Sequence, residues 1–224
     1  MATATATAAH APPTTRNQRK SRRGREGFAI AAGLTQDTAI PADGGYGRAV
    51  RHPFFEAFLS HPASRVALTW DGVDLTFGEL RTMGERAAGW LRLRGVEPGD
   101  RVCIHLENSL DLVAAHLGCM ALGAIRVPLN AHYRRVELAP ILEDAQPRLV
   151  ITRTPTLFPG EAVATEVGAG SAQGDWSEDG VTALLFTSGT TGRAKGVPQT
   201  WDMWTHNLRA LEARWSLSPD ERHI

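Results

Sequence analysis

The residues in this chain best suited to chemistry sit in one loop, Thr187-Ser-Gly-Thr-Thr-Gly-Arg-Ala-Lys195-Gly196. It holds three glycines, four hydroxyl side chains and one of the only two lysines among 24 basic residues. The apolar run Val181-Thr-Ala-Leu-Leu-Phe186 leads directly into it. This is the make-up of a polyphosphate-binding loop. Glycines let the backbone turn and let its N–H groups approach an anion closely. Hydroxyls add donors, and a lysine ammonium brings a mobile point charge to phosphate oxygens.

The spacing excludes three common alternatives. A Walker loop needs Gly-Lys-Ser/Thr after four spacer residues, whereas Lys195 follows Ala194 and precedes Gly196. Gly189, Gly192 and Gly196 do not fit the kinase pattern Gly-x-Gly-x-x-Gly, and Ser188 lacks the glycine two positions earlier that a hydrolase elbow requires.

The segments around the loop must hold it in place, and from His52 onward they alternate helix and strand signals. Pro53–Leu59 reads as a short amphipathic helix. Val66–Trp70 and Val73–Leu75 flank Asp71-Gly72, a two-residue hairpin signal. Thr76-Phe-Gly-Glu79 is a capping box opening a helix with an apolar face of Leu80, Met83, Ala87, Trp90 and Leu91, ending at Gly95. The strand Arg101–Leu106 follows, then a helix capped by Asn108 that stops at Gly123. Ile125–Leu129 is a strand closed by Pro128. The spacing then predicts a helix over Val136–Asp144, with Pro140 near its start where a missing N–H is tolerated, and a strand over Arg148–Ile151. Thr154–Asp179 reads as a linker, and its Gly168, Gly170 and Gly174 miss the dinucleotide spacing by one residue. The loop itself belongs to a strand–loop–turn–helix unit whose helix spans Trp201–Trp215. Repeated strand–helix–strand units imply a layered α/β domain with a largely parallel sheet and flanking helices, incomplete at its C-terminus.

The loop closely resembles the phosphate loop of the adenylate-forming (AMP-binding) acyl-CoA synthetase superfamily, the group of acid–CoA ligases and nonribosomal peptide synthetase adenylation domains. Leu75-Thr-Phe-Gly-Glu-Leu80, Gly95-Val-Glu-Pro-Gly-Asp-Arg-Val102, Leu122-Gly-Ala-Ile-Arg-Val-Pro-Leu-Asn130 and Ile141-Leu-Glu-Asp144 are similar to family segments in the same order. The resemblance covers about 170 residues, from His52 to the end. The chain departs from the family at Ala194, where proline is usual, and at Trp201, where histidine is common. The resemblance implies an enzyme that activates a carboxylic acid with ATP as an acyl-adenylate, releases pyrophosphate and passes the acyl group to a thiol, commonly coenzyme A. It also implies that Thr187, Ser188, Thr190 and Thr191 donate to phosphate oxygens. Gly189, Gly192 and Gly196 would supply backbone N–H groups, and Lys195 would neutralise phosphate charge, with Mg²⁺ as its partner. No protein metal ligands are expected. His105 and His116 lack metal-ligand spacing and read as structural or exposed. Family members are much longer than 224 residues, so the expected polypeptide is an N-terminal part, catalytic only with a C-terminal half. The alternative is an inactive fragment or an interaction module derived from such an enzyme.

Composition bounds the rest. Residues 1–47 carry six basic residues between Arg16 and Arg25 and read as an Ala/Thr/Arg-rich arm separate from the domain at 48–224. A disordered arm, an organelle transit peptide and sequence translated upstream of the true start all fit that segment. A formal net charge of zero gives no general reason to expect nucleic acid as a partner. No apolar run reaches the roughly 18–20 residues needed to cross a bilayer. Cys103 and Cys119 lie in apolar segments and form no Cys-x-x-Cys pair, as expected for buried reduced thiols of a cytoplasmic protein.

Overall fold

The computed structural model describes residues 58, 60–158, 163–164, 180–188 and 194–215, with Val163 and Ser188 described by backbone alone. The arm at 1–47, most of the helix expected at Pro53–Leu59, and most of the linker lie outside the described residues.

Val66–Trp70 (β1) and Val73–Thr76 (β2) form an antiparallel hairpin. Asp71 and Gly72 both take positive φ, 49° and 77°, as the tightest hairpin turn demands. Thr76 caps the helix Phe77–Leu93 (α1). The Glu79 N–H donates to Thr76 Oγ1 at 3.2 Å, and the Thr76 N–H donates to Glu79 Oε2 at 2.8 Å. All five residues expected on its apolar face are buried.

Arg101–His105 (β3) leads to the helix Leu110–Leu122 (α2). Its cap is Ser109, not the expected Asn108, because the helix begins at Leu110 and the N–H three residues on from Ser109, that of Leu112, reaches Ser109 Oγ at 3.2 Å. Gly123 ends α2 in a left-handed conformation (φ 87°) with its N–H on the Cys119 carbonyl. Ile125–Pro128 (β4), Arg135–Ala145 (α3) and Leu149–Thr152 (β5) follow. Pro140 is the sixth residue of α3, deeper than expected, so the Val136 carbonyl lacks its usual helical donor. Val136 is 77% exposed, which leaves water to take that bond. A single 3₁₀ turn at Pro155–Leu157 and the two-residue strand Val163–Ala164 (β6) come next.

The largest departure from expectation lies after the loop. Val181–Ser188 (β7) is followed by a second strand, Ala194–Thr200 (β8), and only then by the helix Trp201–Trp215 (α4). Sequence reading missed β8 because Gly196 and Pro198 argue against a strand. Both are accommodated because β8 is the outermost strand and pairs along one edge alone.

The main sheet runs β6-β5-β3-β4-β7-β8, parallel throughout except for the antiparallel β7–β8 pair. From β3 the chain steps to β4 on one side, then back across β3 to β5 on the other. With right-handed crossovers this puts α2 and α3 on opposite faces of the sheet. Two cores result. Val102 and Ile104 face α1 and α2, while Cys103, Val127 and Val150 face α3 with Leu138 and Ile141. No described helix is long and apolar enough to cross a membrane.

Candidate phosphate-binding site

The expected phosphate loop is the tip of the β7–β8 hairpin. Thr187 pairs with Lys195, and Ser188 pairs with Ala194. The tip between them, including Gly189, Thr190, Thr191 and Gly192, lies outside the described residues. Directly opposed residues of an antiparallel pair send their side chains to the same face. The Thr187 hydroxyl and the Lys195 ammonium therefore stand side by side, both exposed. Lys195 makes no ion pair with any described residue.

Gly196 has a packing role. It pairs with Phe186, and a Cβ placed there would sit 3.1 Å from both Leu184 Cδ1 and Phe186 Cζ. The glycine makes room for the Phe186 ring on the face turned towards α3, the opposite face from Lys195.

Register places the hairpin relative to the sheet. Arg126 of β4 pairs with Ala183 of β7. β4 ends two residues later at Pro128, whereas β7 continues five residues to Ser188. The hairpin thus overshoots the carboxyl edge of the sheet by about 10 Å. Ligands of open parallel sheets gather at this edge, where successive crossovers leave for opposite faces. That switch point falls between β3 and β4, one strand from β7. A cavity of about 540 Å³ opens there, lined by Leu106, Asn108, His116, Pro128, Asn130 and His132 among others. Asn130 Oδ1 accepts the His132 N–H at 3.0 Å, which fixes the turn on one side of the cavity.

His116 was expected to be structural or exposed, yet it lines this cavity from α2. Burial, with a smaller contribution from Arg126, lowers its pKa to about 4, so the ring is neutral at pH 7. Its Nδ1 is buried without a hydrogen-bond partner. Only the crossover order, which is not local in sequence, could have drawn attention to it. His105 is structural, as expected. It is 4% exposed, its Nδ1 lies 3.0 Å from Thr152 Oγ1, and its ring packs edge-on against Phe158. Burial holds its pKa below the ordinary value, with backbone groups of Tyr133 and Asn130 pulling the other way. Cys103 and Cys119 are buried free thiols, and burial pushes Cys119 up to about 12.

No three His, Cys, Asp or Glu side chains among the described residues come together as metal ligands. The exposed hydroxyl of Thr187 fits Mg²⁺ only as a minor ligand, one that assists an ion held mainly by phosphate oxygens.

Residues 54–224 match the family described as AMP-binding enzyme. The chain belongs to this family. It is 32% identical over 170 residues to 2-succinylbenzoate–CoA ligase of Bacillus velezensis, covering 70% of this chain and 34% of that one. It is 29% identical over 162 residues to surfactin synthase subunit 2 of Bacillus subtilis, covering 65% of this chain and 4% of that one. ATP-bound MatB from Rhodopseudomonas palustris has the same fold, with a TM-score of 0.67, 26% identity, and coverage of 77% of this chain and 39% of that chain. The chain thus spans about a third of the first of these curated relatives and 4% of the second.

Proposed function

We propose that this chain is the phosphate-binding, N-terminal part of an ATP-dependent acid–CoA ligase. The observation that carries the reading is the Thr187–Lys195 cross-strand pair at the base of the hairpin tip. In the first half-reaction a substrate carboxylate oxygen attacks the α-phosphorus of ATP. A new C(O)O–P bond forms, the bond to the β-phosphate oxygen breaks, and pyrophosphate leaves. Such a displacement depends on positioning and charge neutralisation more than on covalent help. Lys195 neutralises the departing pyrophosphate, while Thr187, Ser188, Thr190 and Thr191 donate to its oxygens. Gly189 and Gly192 allow backbone N–H groups to approach, and Mg²⁺, assisted by the Thr187 hydroxyl, would supply further neutralisation of phosphate charge. In the second half-reaction the coenzyme A sulfur attacks the acyl carbonyl, and AMP leaves with the bonding electrons. Similarity to 2-succinylbenzoate–CoA ligase and to the acetyl-coenzyme A synthetase of Bradyrhizobium diazoefficiens, 30% identical over 168 residues, favours coenzyme A as the acceptor.

Because the chain spans 39% of MatB, turnover is assigned to the enzyme that contains this segment, and nucleotide binding to the segment itself. Calorimetric titration of the purified chain with ATP and Mg²⁺ tests the binding. Inorganic tripolyphosphate should compete, and Lys195→Ala should weaken binding about tenfold, the loss of one charge-assisted contact. An unchanged affinity in Lys195→Ala would remove the lysine from the site. Acid-dependent exchange of pyrophosphate into ATP by a longer form tests the chemistry, and labelled acyl-CoA formation tests the acceptor.

A further inference from the structure

Asn130 stands at the carboxyl edge of the sheet, just past the end of β4, and lines the cavity at the switch point. It is exposed. Its side-chain oxygen is committed, because Oδ1 accepts the His132 N–H at 3.0 Å. Its backbone carbonyl accepts the Tyr133 N–H at 2.9 Å. The turn therefore holds the side chain in one orientation, with two N–H donors on the amide Nδ2. No described group accepts from them.

Register brings those donors to the hairpin. Arg126 of β4 pairs with Ala183 of β7. Three residues on from that pair, Leu129 and Phe186 pack into the same core against α3. The chain after β4 still follows the sheet there, since the Leu129 N–H donates to the Ile104 carbonyl of β3 at 2.9 Å. The next residues are Asn130 and Thr187. Side chains alternate along a strand, so both turn to the opposite face. Lys195 is the cross-strand partner of Thr187 on that face. Asn130, Thr187 and Lys195 thus make a row in line with β4, β7 and β8, about 10 Å long at the ordinary strand spacing. The row offers an amide, a hydroxyl and an ammonium, and each can donate to an anion. The carboxylate of Glu107, on the cavity wall past β3, stands on the other side of Asn130 from Thr187 and bounds the row at that end.

The geometry points to Asn130 as a further phosphate-binding residue, whose Nδ2 donates to the polyphosphate held by Thr187 and Lys195. This inference rests on the functional reading above and adds to it a contact from outside the loop. Donors fixed before the ligand arrives cost no reorganisation when it binds. The Asn130 amide is such a donor, because its own turn orients it.

The test is calorimetric titration of the purified chain with ATP and Mg²⁺, and with inorganic tripolyphosphate, comparing the unaltered protein with Asn130→Asp. Aspartate keeps an oxygen for the His132 N–H, so the turn survives, while both donors are lost and a negative charge faces the phosphates. Affinity for both ligands should fall by at least about tenfold, with the urea midpoint unchanged. Nitrogen-15 spectra of the unaltered chain separate contact from charge acting at a distance. The Asn130 Nδ2 resonances should shift as tripolyphosphate is added. Affinity indifferent to Asn130→Asp, or Nδ2 resonances that stay in place at saturation, would overturn the proposal. Lys195→Ala in parallel separates the two readings. Weakening by Lys195→Ala but not by Asn130→Asp sinks the Asn130 contact alone, and no binding by the unaltered chain sinks both.

Discussion

The α1–α2 layer and the β8–α4 end of this molecule are both amphipathic helices beside a sheet, yet they meet opposite fates. In the first, the helices cross so closely that a Cβ on Gly118 would lie 2.6 Å from the Ala87 Cβ. Trp90, Leu91, Ala115 and Leu122 are almost fully enclosed there. In the second, α4 has a comparable apolar stripe and fully buries none of it. Sequence pattern forms the helix in both places, and only the supply of a facing surface separates them. The lesson concerns where the chain is self-sufficient: the β3–β5 half completes its own core, and the hairpin end does not.

Four measurements can break or sharpen that contrast. The largest effect is expected from Ile104→Ala, which empties a site 1% exposed between sheet and helices. Urea denaturation should show a loss of about 2–5 kcal/mol. Next is a pH effect at His116. Its folded pKa, about 4, lies below the ordinary 6.5, so its contribution to stability is complete above pH 6.5. It is lost as pH falls from 6.5 towards 4, up to about 3 kcal/mol in all. Urea midpoints at pH 7 and pH 5 should reveal it, and His116→Gln should flatten the profile. Gly118→Val comes third. The added methyls meet Ala87 backbone with no room to move, at about 1–3 kcal/mol by thermal or urea unfolding. The smallest is Leu208→Ala on α4, expected within about 0.5 kcal/mol in the isolated chain. If Leu208→Ala cost as much as Gly118→Val, α4 would be packed after all and the contrast would collapse.

Much of the fold was legible because its signals are local. The Thr76–Glu79 capping box, the Asp71-Gly72 turn and the Gly123 stop each act within a few residues, and each stands where the sequence placed it. Errors arose where a local rule met tertiary context. Asn108 and Ser109 are both capable caps, and the register of α2 against the sheet selects Ser109. Pro140 lies inside α3 because the remaining turns are held by Leu138 and Ile141 in the lower core. β8 forms despite Gly196 and Pro198 because β7 offers it an edge.

By itself, the sequence determined the order of elements from β1 to β5 and the apolar face of α1, and it singled out the loop whose phosphate role is proposed above. These follow from periodicity, caps and spacing along a few residues. The tertiary structure alone decided that Thr187 and Lys195 stand as cross-strand partners and that Gly196 serves the Phe186 ring. It also brought His116 to a cavity between β3 and β4 and left the face of α4 uncovered. Those facts depend on strand order and register between distant segments, which no local pattern encodes.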